Sequence, residues 1–132
     1  MDRRALVRPV LALAMTAVGI SHFTAPEGFV KIVPPWLPAP LLLVWVSGVA
    51  EIAGGVGLLV PRLRRAAAWG LVALYVAVFP ANVHMALHDV QPFAFHVSRT
   101  AQWLRLPFQA VFIALAVWLA REPRDRQSDG PP

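Results

Sequence analysis

Four apolar stretches, each close to the roughly 20 residues a helix needs to cross about 30 Å of hydrocarbon, occupy most of this chain of 132 residues. They run approximately over 5–23, 39–60, 66–87 and 98–120. Hydrocarbon satisfies no backbone N–H or C=O, so such spans must bond internally as helices. Strand-like alternation, repeats and low-complexity tracts are absent from the sequence. The expected fold class is therefore all-α: a four-helix transmembrane bundle over 1–120, then a cytoplasmic tail over 121–132 ("REPRDRQSDGPP") with no apolar residues to order it.

Composition supports this reading. A chain that is 58% hydrophobic and 14% charged, with a mean hydropathy of +0.59, is too apolar for an ordinary soluble domain of this length. The absence of cysteine excludes thiol–disulfide exchange, thiolate metal sites and disulfide staples within the chain. A net charge of +5 could suggest nucleic acid as a partner, but the arginines sit in small groups beside apolar runs and form no basic aromatic surface. Membrane topology explains them better, and the lipid bilayer is the expected partner. "MDRR" ahead of an apolar run resembles a secretory signal, but no small-x-small cleavage site follows and "GISHF" continues the helix.

The connections differ in character. Thr24 to Pro38 is rich in proline and aromatics, Pro61 to Arg65 is a tight basic turn, and His88 to Val97 is a polar loop. With both termini on one side, that side carries Arg3, Arg4, Arg8, Arg62, Arg64, Arg65, Arg121, Arg124 and Arg126, against Lys31, Arg99 and Arg105 on the other. This asymmetry places both termini in the cytoplasm. The expected location is a bacterial inner (plasma) membrane, crossed several times.

Glu51 is the residue this topology must explain, because an unpaired carboxylate in a bilayer helix costs a few kcal/mol. A rise of about 1.5 Å per residue, counted from the cytoplasmic ends, puts Glu51 at roughly 14 Å, Gln109 at 17 Å, Ser47 at 20 Å, Arg105 and Asn82 at 23–24 Å and His22 at 25 Å. Ser47 and Glu51 share one helix face at i, i+4, as do Arg105 and Gln109. Such groups should point into the bundle. Two readings follow: a polar pocket with a titratable acid, or a structural ion pair between Glu51 and Arg105 that fixes helix order.

The other members also have plainer readings. Ser47 can bond its own helix, His22 can be an interfacial histidine, and Asn82 can serve the carbonyl that Pro80 leaves unpaired. Gly48, Gly54, Gly55 and Gly57 make the second span a close-packing, central helix. His84 and His88, at i, i+4, have no paired set on another helix, so no metal site is expected. The five tryptophans, Trp36, Trp45, Trp69, Trp103 and Trp118, read as interface anchors.

"GISHF" (19–23), "SGVAEIAGGVGLLVPRLRRAAAWGL" (47–71), "VFPANVHMA" (78–86) and "RLPFQ" (105–109), in this order on four apolar helices, resemble the DoxX family of small membrane proteins. The resemblance implies a four-helix bundle and an accessory role in a membrane redox complex, with quinone as a candidate cofactor and redox-complex subunits or further copies of the chain as candidate partners. It carries over no catalytic residues. His22, Ser47, Glu51, Asn82, Arg105 and Gln109 are the candidate ligand pocket or buried polar cluster. The alternative is a non-catalytic assembly or scaffold protein; a transporter, with no inverted repeat in view, ranks third.

The arginine asymmetry makes a direct prediction. Single cysteines replacing Ser128 and Glu27 will label from opposite faces of the membrane, Ser128→Cys from the cytoplasmic face. Labelling of both from one face would exclude the topology.

Overall fold

The computed structural model describes residues 2–92 and 95–123. Five helices follow in order: α1 (Arg3–Thr24), α2 (Pro26–Ile32), α3 (Pro40–Leu59), α4 (Arg64–His88) and α5 (Arg99–Ala120). α1, α3, α4 and α5 are long and apolar enough to cross a membrane, with ends within two residues of the spans read from the sequence. The chain is thus an all-helical, multi-pass membrane protein. No strand occurs among the described residues.

Local chemistry sets the helix ends. Asp2 accepts from the Arg4 N–H at 3.1 Å to cap α1, and Ser98 accepts from Ala101 N–H at 3.1 Å to cap α5. Pro40 opens α3, where its missing N–H would have had no helical partner. α4 closes on Asp89 in the left-handed region (φ 50°).

α3 is the central helix. It packs against α1 on one side and α4 on the other, and α5 lies on α4. Glycine makes both contacts close. A Cβ on Gly48 would stand 2.7 Å from the His22 Cβ, and one on Gly55 would stand 2.9 Å from the Ala12 carbonyl oxygen and 2.5 Å from Thr16 Oγ1. Those two glycines, seven residues apart, face α1. Gly54 and Gly57 face Leu71 and Ala67 of α4. In lipid such contacts gain dispersion energy that a bulkier residue would forfeit.

The buried apolar cluster lies toward the end of the bundle that holds the N-terminus of α1 and the C-terminus of α5. Leu11, Ala12, Met15, Leu58, Ala68, Leu71, Tyr75, Ala116, Leu119 and Ala120 form it. Outward faces are apolar, with Leu13 74% and Phe108 63% exposed, as a bilayer-facing surface should be. At this terminal end Arg4 Nε donates to the Trp118 carbonyl at 3.2 Å, and Arg8 pairs with Glu122 at 2.6 Å. Glu122, in the stretch read from the sequence as tail, is buried against α1. Residues 124–132, including Arg124, Arg126 and Ser128, lie outside the described residues, as do Phe93 and Ala94.

At the loop end, the Thr24–Pro38 connection forms α2. Phe29 stacks on His22 with ring centroids 3.9 Å apart, and a Cβ on Gly28 would stand 2.6 Å from the Pro92 carbonyl oxygen. α2 therefore covers this end of the bundle between α1 and the α4–α5 loop. That loop is held by fully buried Gln102, whose Nε2 donates to Asp89 Oδ1 at 3.0 Å.

Two alanine substitutions test the role of the glycines. Gly55→Ala will cost about 1–3 kcal/mol, since backbone atoms of α1 must move. Gly70→Ala, whose Cβ meets nothing within 4 Å, will gain about 0.5–1 kcal/mol of helix propensity. Unfolding in detergent measures both, and equal effects would contradict the packing described.

Candidate functional site

The α1–α3 register decides what Glu51 meets. The antiparallel contacts Gly48 with Gly19 and Gly55 with Ala12 set Glu51 opposite the turn around Val18. His22 sits one turn further on, but α-helical side chains lean toward their own N-terminus. In antiparallel helices these leans converge, which is how residues of different estimated depth come together. His22 Nδ1 donates to the Val18 carbonyl at 2.8 Å and lies 3.7 Å from Glu51 Oε2. Because a carbonyl only accepts, Nδ1 carries the hydrogen. Ser21 Oγ donates to the same carbonyl at 2.5 Å. Both His22 and Glu51 are buried, at 8% and 7% exposure.

A second polar group joins α4 to α5. Asn82 Nδ2 donates to Gln109 Oε1, and Gln109 Nε2 donates to the Tyr75 carbonyl at 2.7 Å. Pro80 inside α4 lacks the N–H that would bond the Val76 carbonyl. The Gln109 amide of α5 meets the neighbouring Tyr75 carbonyl and not that of Val76. Asn82 therefore serves Gln109, where the sequence offered it the carbonyl freed by Pro80.

The Glu51–Arg105 pair expected from the sequence does not form. Arg105 Nη1 donates to Met85 Sδ at 3.4 Å, and Glu51 has His22 as its neighbour. Arg105 leaves from α5, which packs on α4, whereas Glu51 faces α1; helix order, more than depth, separates them. Ser47 is half-buried one turn from Glu51 and makes no side-chain hydrogen bond among the described residues.

Tyr75, absent from the sequence reading, links the two groups. Its carbonyl takes the Gln109 amide, and its hydroxyl lies within electrostatic range of Glu51. That hydroxyl is buried with no hydrogen-bond partner among the described residues. The signal was present as the chain's single tyrosine, set in the apolar run "LVALYVAVF". Arg8, a charge inside the first span, was the comparable signal for the terminal ion pair. The His84 and His88 rings lie 4.6 Å apart, and no group of three metal-ligand side chains occurs among the described residues. Trp118, read as an interface anchor, lies half-buried beneath the Arg4 guanidinium at 4.8 Å.

Residues 11–120 match a family model described as Domain of unknown function (DUF8561). The chain belongs to this family. No curated protein and no solved structure matches it. The family match replaces the DoxX resemblance, since no DoxX model matches. The pieces that carried the resemblance are glycines for close helix contact, a proline within a span and buried amides, which any tightly packed membrane bundle can require. The redox role and the quinone that the resemblance implied for this DUF8561 chain lose that support.

A hydroxyl buried without a partner destabilises the protein that holds it. Tyr75→Phe should therefore raise the stability of ligand-free protein by about 1–3 kcal/mol, measured by unfolding in detergent. A comparable loss of stability would show that the hydroxyl is structurally bonded.

Proposed function

We propose that this chain is a membrane protein that takes up a small amphipathic molecule from the bilayer and holds its hydrogen-bonding head in the polar layer of His22, Glu51 and Tyr75. The observation that carries this reading is the buried Tyr75 hydroxyl, which has no hydrogen-bond partner among the described residues and lies within electrostatic range of Glu51, since a buried donor of this kind calls for an acceptor. Phe29 and His22 form a stacked aromatic wall at the loop-end side of the same layer. A carbonyl-bearing ring of the quinone class suits these groups: Tyr75 donates to a carbonyl oxygen, while His22 and Glu51 stand ready to exchange protons. Holding a quinone would make the chain an accessory of a membrane redox system. The terminal end, with its arginines, is taken to face the cytoplasm of a bacterial cell across the inner membrane.

A second reading has its own observation. Asn82, Gln109 and the Tyr75 carbonyl satisfy one another, as a helix-registering network does, and support a non-catalytic assembly or scaffold protein, alone or as a homo-oligomer.

Extraction separates the readings. Protein purified in mild detergent should release a quinone or similar amphipathic molecule into organic solvent, and added quinone should raise its melting temperature. Tyr75→Phe and Glu51→Gln should both lose the ligand, with Tyr75→Phe folded and no less stable. Glu27→Gln, at an exposed position of α2, should keep it. A stable wild type that carries nothing and does not respond to quinones would leave the scaffold reading in place.

A further inference from the structure

The terminal end of the bundle gathers guanidinium groups from α1 and α4 around the end of α5. Arg4 bonds the Trp118 carbonyl and stacks on its ring, Arg65 Nε donates to the Ala120 carbonyl at 3.1 Å, and Arg8 pairs with Glu122. Arg64 lies within electrostatic range of both Arg8 and Glu122. Its Nε is buried with no hydrogen-bond partner among the described residues, although the residue as a whole is partly exposed. Four cations therefore surround one carboxylate and a helix C-terminus equivalent to roughly half a negative charge. Among the described residues, Asp2 is the only other carboxylate at this end, so positive charge remains in excess there.

Two further features point to an anion at this place. α4 starts at Arg64, and its N-cap, Leu63, offers no capping side chain, so the positive end of the helix adds to the field. Exposed Val60, Leu63 and Trp69 flank the same turn with apolar surface. The spans end at this level, so the site lies at the membrane–water boundary, where the abundant anion is a phospholipid phosphodiester.

We propose that the terminal end of the bundle binds the phosphodiester headgroup of an anionic phospholipid, seated on Arg64 and the first turn of α4, with acyl chains along Val60, Leu63 and Trp69. Arg8 and Glu122 are then a positioning pair that keeps α1 and α5 together beneath the headgroup. The site is separate from the polar layer of His22, Glu51 and Tyr75.

The test places the full chain in nanodiscs of phosphatidylcholine with or without phosphatidylglycerol, and reads bound lipid by native mass spectrometry together with the melting temperature. Wild type should retain phosphatidylglycerol over phosphatidylcholine and melt higher when it is present. Arg64→Gln should lower that preference about fivefold, whereas Arg3→Gln, an exposed arginine at the start of α1, should leave it unchanged. Inorganic phosphate added to phosphatidylcholine discs should not raise the melting temperature. Absence of lipid preference in wild type overturns the proposal even if Arg64→Gln fails to fold. Equal loss in Arg64→Gln and Arg3→Gln overturns it in favour of diffuse surface charge, and a full response to inorganic phosphate overturns it in favour of a free-phosphate site.

Discussion

The close approach of α1 to α3 governs the rest of the molecule. Gly19, Gly48 and Gly55 remove the side chains that would hold the two backbones apart, and in lipid, where apolar burial drives little association, such contact is a principal source of cohesion. The same contact fixes the register. With α1 and α3 locked, Glu51 must face the Val18 turn, and His22 must lean back onto it. Gly54 and Gly57 seat α4 on the opposite face of α3, which carries Tyr75 to the neighbourhood of Glu51. A polar layer deep in a bilayer protein is thus a consequence of where glycines fall on α1 and α3.

That layer is unevenly satisfied. On the α4–α5 side the amides close on one another and on a backbone carbonyl, so their burial is compensated. Between α1 and α3 the carboxylate has an imidazole at 3.7 Å, beyond hydrogen-bonding distance, and the Tyr75 hydroxyl of α4 has no partner among the described residues. Polar groups left in this condition inside a membrane are retained at an energetic cost, which is why the functional reading is placed there and the structural reading on the amide side. The terminal end shows a third arrangement: a buried, well-made ion pair, Arg8 with Glu122, inside an excess of positive charge.

Much of the fold was legible because its signals are local. Span length, the basic turn at 61–65 and the glycines of the second span each act over a few residues, and the helices end within two residues of where these signals placed them. The short helix α2 was hidden, since its order comes from contacts outside its own seven residues: Phe29 on His22 of α1 and Gly28 on Pro92 of the α4–α5 loop. Which polar residues meet was legible only in part. Depth along each span can be counted, but Arg105 and Glu51 are kept apart by helix order and facing, which counting does not supply. The DoxX resemblance failed for a related reason: the motifs behind it record how membrane helices pack, a requirement shared by unrelated bundles.

The central claim is that the α1–α3 contact makes His22, and not Arg105, the electrostatic neighbour of Glu51. Double-mutant cycles measure this directly: unfolding in detergent of His22→Ala, Glu51→Gln, Arg105→Met and the two pairs that contain Glu51. The structure predicts a coupling of about 0.5–3 kcal/mol between His22 and Glu51, and additivity within about 0.5 kcal/mol between Glu51 and Arg105. Additive His22 and Glu51, with strong coupling between Glu51 and Arg105, would contradict the register on which the account rests.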